Sequence, residues 1–205
     1  MSKAAATDFP ISELIAKRWS PYAFEDRPVS RADLCSLLEA ARWAPSSYNE
    51  QPWSYILATR DEPDEFAKLL SCLLEGNQEW AKAVPVLMVG CTSLNFNRNG
   101  KPNAAATHDL GLAAGNLCLE ATARGLCVHQ MIGIEPDRVR ELYQVPDGVQ
   151  PLTGLAIGYA AAPGTLLEKF RERDLAPRAR KPLAEFVFGG QWGLGSGVIN
   201  KATVK

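Results

Sequence analysis

The spacing of apolar residues along this chain of 205 residues predicts a mixture of helices and strands. An apolar run at helical spacing follows Ser30, a residue type favoured at helix N-caps, and Pro45 ends that run. The same criteria predict four further helices, over residues 10–18, 63–74, 105–124 and 136–142.

Short apolar runs with β-branched residues and flanking breakers predict strands over residues 53–59, 84–91, 126–131 and 151–159. Residues 92–103 are polar and are predicted to form a loop. Since helices lie between strands without a strict βαβ rhythm, we expect the α+β fold class.

The predicted helix over residues 105–124 is apolar on most sides, so we expect it to be central and buried. It carries Gly111 and Gly115, and such small residues allow another helix or a ligand to come close.

Charged clusters follow residue 161, and residues 183–188 then have strand-like character. A tail of this kind docks on its own domain or on a partner subunit. We therefore expect a single domain over residues 1–188, followed by a Gly-rich C-terminal tail over residues 189–205.

The composition is that of a soluble globular protein, with 46% hydrophobic and 22% charged residues. A net charge of -1 argues against general attraction to nucleic acid or to an anionic membrane. The sequence also predicts no secretion signal and no membrane helix. The five cysteines form no C-x-x-C motif, so we expect reduced core thiols in a cytoplasmic protein.

Several kinds of catalytic site are absent from the sequence. The two histidines and the lack of paired cysteines exclude a His-rich metal site, and no G-x-S-x-G or P-loop motif is present. We interpret His108-Asp109 as the start of a helix, in preference to a catalytic dyad. His129 lies in an apolar strand and is expected to be a partly buried structural histidine rather than a base.

Three polar clusters remain, at residues 18–24 (RWSPYAF), 44–53 (APSSYNEQPW) and 178–180. Taken singly they are typical of a solvated helix end, a loop and a charged tail. Together and in this order they resemble segments of the nitroreductase-like family of FMN-dependent NAD(P)H oxidoreductases. The resemblance continues through GNQEW near Asn77, the HDLGLAAGNL helix and HQMIGIEP, so it spans nearly the whole chain.

The resemblance implies a three-layer α+β fold, with a central, mostly antiparallel sheet flanked by helices, in an intertwined homodimer. It also implies two FMN molecules at the subunit interface and a C-terminal tail that embraces the other subunit. NAD(P)H, as co-substrate, would reduce the flavin by hydride transfer to N5. A nitroaromatic, quinone or similar flat acceptor would then take its place in a ping-pong sequence.

Two alternatives stay open, namely a specialised flavin reductase or dehydrogenase on the same scaffold and a non-catalytic dimer that binds flavin. The scheme requires no side-chain general acid, so we predict no strictly catalytic residue and no metal ligand.

The chemistry of FMN suits the residues that the resemblance assigns to it. Arg18, helped by Arg180, would hold the phosphate through charge-assisted hydrogen bonds, and Ser20 would add a hydroxyl. Residues of the second segment would meet the cofactor of the partner chain. The full set of expected cofactor-binding residues is Arg18, Trp19, Ser20, Tyr22, Pro45, Ser46, Ser47, Asn49, Asn77, Gln130, Met131, Gly133, Arg178 and Arg180.

Tyr22 stands where the family often has Arg or Lys near the flavin N1/O2 edge. A cation there favours the reduced anion, whereas a tyrosine hydroxyl carries no formal charge at neutral pH. We therefore predict a flavin that is harder to reduce, unless another basic side chain such as Arg178 fills the gap.

The aromatic content of residues 66–74 and 92–103 marks these segments as candidates for the acceptor surface. Trp80 and Phe96 could line a flat pocket there, although ordinary core packing is the expected role of at least one of them.

Overall fold

The computed structural model describes residues 3–199, and its centre is a four-stranded sheet in the order β1-β2-β4-β3. Every neighbouring pair of strands is antiparallel. The strands are β1 (Trp53–Thr59), β2 (Val86–Ser93), β3 (Cys127–Met131) and β4 (Val149–Gly158).

Seven α-helices surround the sheet in the described residues. They are α1 (Glu13–Lys17), α2 (Arg31–Arg42), α3 (Pro63–Leu70), α4 (Glu75–Ala81), α5 (Ala106–Ala123), α6 (Pro136–Tyr143) and α7 (Glu168–Leu175). The predicted N-cap of α2 is confirmed, because the Ser30 hydroxyl accepts a hydrogen bond from the Asp33 backbone N–H.

Side chains of β2 alternate between two hydrophobic cores, one on each face of the sheet. Val86 and Met88 join the core that α2 and α5 complete, whereas Leu87 and Val89 join the core under α3, α4, α6 and α7. Helices therefore cover both faces, which confirms the three-layer α+β prediction. Helix α5 is central as expected, with Ala113 and Leu117 both fully buried.

The single helix predicted over residues 63–74 is wrong, because α3 ends at Leu70 and α4 begins at Glu75. Tertiary contacts account for the break. Leu73 forms an isolated antiparallel bridge with Ile134, and the Leu74 backbone N–H donates to the Gly133 carbonyl.

The prediction of strand character for residues 183–188 is also wrong. Leu183–Glu185 form a single 3-10 turn, and the N–H groups of Phe186 and Val187 both bond back to the Leu183 carbonyl. The following segment folds back, with the Gly189 N–H bonded to the Leu194 carbonyl. The last residues of the predicted tail, 200–205, lie outside the described residues.

All five cysteines are free thiols. Cys72, Cys91 and Cys118 are buried and Cys127 is half-buried. The prediction of core thiols is wrong for Cys35 alone, which is exposed on α2. In the described residues, no helix combines the length and the apolar character needed to cross a membrane.

Candidate functional site

A cleft of about 460 Å³, here named the α5 cleft, lies between α5, β3 and the segment after α1. Gly111 and Gly115 form part of its floor, and a Cβ added to either would meet no atom within 4 Å. The helix therefore offers its bare backbone to the cleft. The lining residues are Arg18, Ser20, Gly111, Leu112, Gly115, Asn116, Cys118, Leu119, Val128 and Gln130.

One wall of the α5 cleft carries a thiol–amide pair. Gln130 Nε2 donates to Cys118 Sγ at 3.2 Å. Burial raises the pKa of the Cys118 thiol, and the Gln130 hydrogen bond and the Arg18 charge oppose that rise only in part. The wall is therefore neutral, which suits the face of a flat, uncharged ring better than a metal ion.

A second cleft of about 220 Å³, here named the basic cleft, adjoins the first through Arg18 and Ser20, which line both. Arg18 Nη1 lies 3.4 Å from Ser20 Oγ. The basic cleft is lined by Lys3, Arg18, Trp19, Ser20, Arg173, Ala176, Pro177, Arg178 and Arg180. An anionic group can thus be held beside a ring that occupies the α5 cleft.

Arg178 fixes the wall of the basic cleft. Its Nη1 donates to the Lys3 carbonyl at 2.6 Å and to the Ala16 carbonyl at 2.8 Å. Burial, and then the charges of Arg18 and Arg180, lower the pKa of the Arg178 guanidinium. The guanidinium groups of Arg18, Arg178 and Arg180 repel one another. An anion bound between them relieves this repulsion, which strengthens its binding.

Asp174 of α7 orients the segment that carries Arg18 and Ser20. Its carboxylate is 3% exposed and accepts hydrogen bonds from the Tyr22 backbone N–H at 2.9 Å and the Ala23 N–H at 3.0 Å. The chain turn after α1 is therefore fixed by the C-terminal region.

Tyr22 lines neither cleft and packs in an aromatic cluster. Its ring stacks on Phe170 at 5.1 Å and meets Trp80 edge-on at 5.1 Å. Arg173 Nη1 lies 3.2 Å from the Tyr22 hydroxyl, so a cation stands beside this residue. Trp80 is 2% exposed, which confirms core packing as its role.

His129 belongs to the same cluster, with its Nδ1 2.9 Å from the Pro21 carbonyl oxygen. Burial lowers the pKa of His129, and the Pro21 carbonyl and the Asp174 charge oppose this effect. The prediction of a partly buried, satisfied histidine is confirmed.

The middle of the 44–53 segment is a strained turn, and the segment is bonded to the first turn of α5. Tyr48, Asn49 and Gln51 have φ values of 54°, 56° and 51°, a region that residues with a side chain rarely adopt. The Ser47 N–H donates to the carboxylate of Asp109 at 3.0 Å. Asp109 lies in the first turn of α5, so the helix-start interpretation of His108-Asp109 is confirmed.

Four of the expected site residues lie in this segment and line neither of the two clefts. Pro45 and Asn49 are exposed, and Ser46 and Ser47 are half-buried.

Four other members of the expected set, namely Asn77, Gln130, Met131 and Gly133, are divided between two places. Gln130 lines the α5 cleft. Asn77 Nδ2 donates to the Gly133 carbonyl at 2.8 Å, and a Cβ at Gly133 would overlap that amide. Met131 is 7% exposed and belongs to the hydrophobic core.

Sequence reasoning missed three residues of this region. Lys3 and Arg173 line the basic cleft, and Asp174 fixes its neighbouring segment. Arg173 and Asp174 are far in sequence from Arg18, and Lys3 precedes it by 15 positions, so only the fold brings them together. In the described residues, no cluster of His, Cys, Asp and Glu could hold a metal ion.

The chain is similar to proteins of one family. A family model described as Nitroreductase family matches residues 15–159. The chain is 35% identical over 133 residues to an uncharacterized 15.4 kDa protein of Mycolicibacterium smegmatis, a match that covers 65% of the chain and 88% of that protein. It is 28% identical over 166 residues to an FMN reductase (NADPH) of Bacillus subtilis (strain 168), covering 73% of the chain and 65% of the relative.

Solved structures that are similar to this chain include an oxidoreductase and a nitroreductase family protein. One described as an oxidoreductase containing FMN has a TM-score of 0.87 and 35% identity, covering 94% of this chain and 98% of that one. A nitroreductase family protein from Clostridium difficile 630 has a TM-score of 0.69 and 25% identity, covering 89% of this chain and 99% of the other.

Proposed function

Since the chain belongs to the nitroreductase family, we propose that it is an FMN-dependent oxidoreductase that uses NAD(P)H to reduce a flat acceptor such as a nitroaromatic compound or a quinone. Family membership confirms the resemblance found in the sequence. The names of an FMN reductase that uses NADPH and of an FMN-containing oxidoreductase, both similar to this chain, support the cofactor and the electron donor.

One observation carries the proposal, namely the junction of the α5 cleft with the basic cleft at Arg18 and Ser20. FMN consists of a flat ring and a phosphate joined by a short ribityl chain, and the paired clefts match that division. The open floor at Gly111 and Gly115 leaves room for the ring. The residues present therefore fit the cofactor.

The chain's own groups would then act as follows. Arg18 and Arg180 bind the phosphate through charged hydrogen bonds, while Arg178 and Asp174 keep the surrounding backbone in place. Gln130 offers its amide to the ring. When bound, FMN supplies the two-electron carrier between the nicotinamide and the acceptor, and the protein supplies position and electrostatics.

The strained 44–53 segment lies outside both clefts of its own chain, which supports the proposal that Pro45, Ser46, Ser47 and Asn49 meet the FMN of a partner subunit. The protein would then act as a homodimer, with the cytoplasm as its expected location. Dissociation of the dimer should release FMN. In a dilution series followed by sedimentation, the fraction of bound FMN should therefore fall together with the fraction of dimer. Full retention by a monomer would contradict the arrangement.

The acceptor is tested by steady-state kinetics with NADH and with NADPH against neutral quinones and nitroaromatic compounds. The nucleotide concentration is varied at several fixed concentrations of the acceptor. The proposed ping-pong order predicts that the resulting double-reciprocal lines are parallel. Intersecting lines would contradict the ping-pong order. If the protein reduces none of the acceptors with either nucleotide, the proposed oxidoreductase function is contradicted.

A further inference from the structure

An exposed cation lies across two aromatic rings where the 44–53 segment meets the loop after β2. Tyr48 is 75% exposed and meets Phe96 edge-on, with ring centroids 5.8 Å apart. The guanidinium carbon of Arg98 lies 4.2 Å from the Tyr48 ring centroid and 5.2 Å from that of Phe96. Both distances fall within the range of a cation–π contact.

The backbone holds this group in place. Tyr48 has a φ of 54°, and a strained conformation of this kind persists only where surrounding contacts enforce it. Glu50 accepts a hydrogen bond from the Asn97 N–H, which ties the two loops together beside the rings. The pair of loops therefore presents the aromatic faces and the cation as one surface.

Among the residues that the structure describes, no acidic side chain neutralises the charge of Arg98. In residues 3–199 no carboxylate forms an ion pair with it, although most of the ion pairs in that range do involve arginine. Contact with aromatic rings uses the face of a guanidinium and leaves the N–H groups at its edge available. Those groups form a fork that matches a carboxylate or a sulfonate.

We propose that Arg98, together with the exposed Tyr48 ring, selects flat acceptors that carry an anionic group such as a carboxylate or a sulfonate. This inference rests on the proposed function, because Tyr48 lies between Ser47 and Asn49, which are proposed to meet the partner's FMN. Arg98 covers one face of the Tyr48 ring, and the ring surface that stays exposed can stack on a planar acceptor. The guanidinium edge then binds the anionic substituent.

The test compares 4-nitrobenzoate with 4-nitrobenzamide, two acceptors that share a ring and a nitro group and differ in charge. For Arg98→Gln we expect the ratio of kcat/KM for the anion to kcat/KM for the amide to fall about tenfold, the scale of one charged hydrogen bond. Arg98→Lys should restore part of the ratio. Arg27→Gln is the matched control, because Arg27 lies 3.7 Å over the Tyr159 ring on another surface and should leave the ratio unchanged.

The anion could instead be the pyrophosphate of the nucleotide, so the rate of flavin reduction by NADH and by NADPH is measured for each variant. Unchanged reduction rates with a reduced acceptor ratio support the proposal. The proposal is overturned if Arg98→Gln lowers only the rate of flavin reduction by the nucleotide. It is also overturned if the ratio of kcat/KM for the two acceptors is unchanged. Turnover of a neutral quinone separates these outcomes from failure of the proposed function, in which the unmodified protein would reduce no acceptor.

Discussion

Ser47 and Asp109 are joined by a hydrogen bond of 3.0 Å from a backbone N–H to a carboxylate, across 62 positions of sequence. Asp109 is 2% exposed and its other oxygen lies 3.2 Å from His108 Nδ1. This contact fixes the strained 44–53 segment to the first turn of the helix that floors the α5 cleft. The conformation of the 44–53 segment thus depends on a buried acid of the central helix.

Replacing Asp109 should therefore destabilise the fold. Asp109→Ala leaves the Ser47 N–H without its acceptor, and we expect a loss of about 1–3 kcal/mol in the free energy of unfolding. Urea denaturation measures it. His108→Ala is the control, because that side chain is 71% exposed and should cost little. Equal losses for the two variants would contradict the structural role of Asp109.

Arg18 should dominate the binding of the FMN phosphate, since it lines both clefts. Arg18→Ala should weaken FMN affinity by about 1.5–3 kcal/mol, the scale of a hydrogen bond to a charged group. Titration of apo-protein with FMN gives the value. Arg31→Ala serves as control, since Arg31 is an exposed arginine at the start of α2. Unchanged affinity in Arg18→Ala would remove this residue from the site.

A substitution at Gly115 should affect FMN binding and the stability of the fold differently. A side chain at this position would enter the open α5 cleft, so Gly115→Leu should abolish FMN binding while the protein stays folded. The free energy of unfolding should rise by about 0.5–1 kcal/mol, because glycine is a poor helix former. Gly76→Leu in α4 is matched, since a Cβ there also meets no atom within 4 Å. If both variants bind FMN equally well, the ring does not occupy the α5 cleft.

His129 should make stability depend on pH near neutrality. Burial lowers its pKa in the folded protein from the ordinary value of 6.5. As the pH falls through that value, the unfolded chain takes up a proton that the folded chain resists, so the free energy of unfolding decreases by at most about 1.4 kcal/mol per pH unit. His129→Gln should flatten the slope between about pH 7.5 and 5.5, whereas His108→Gln should keep it. Identical slopes in all three proteins would contradict this assignment.

The sequence predicted the elements whose apolar pattern is self-contained. Residues 53–59 form β1 at the predicted bounds, and α5 begins and ends within a residue of the prediction. Helix α7 was missed because Phe170 is its only buried apolar residue, so it has no apolar face to detect. The break between α3 and α4 depends on the bridge from Leu73 to Ile134, a contact that local spacing cannot indicate.

The candidate site likewise contains residues that the sequence predicted and residues that it did not. Arg18, Ser20 and Gln130 were predicted and come together in the α5 cleft. Lys3 and Arg173 were missed, because in the sequence alone these basic residues are indistinguishable from solvated surface charges. The contact of Arg98 with Tyr48 likewise depends on a positive φ and on the meeting of two loops.

Anaerobic titration of the FMN-loaded protein with NADH and with NADPH tests the central claim most directly. We expect a yellow protein whose visible flavin absorbance is bleached by at least one nucleotide and returns when a quinone is added. A protein that cannot be loaded with FMN, or whose bound FMN neither nucleotide reduces, would contradict the assignment of an FMN-dependent NAD(P)H oxidoreductase.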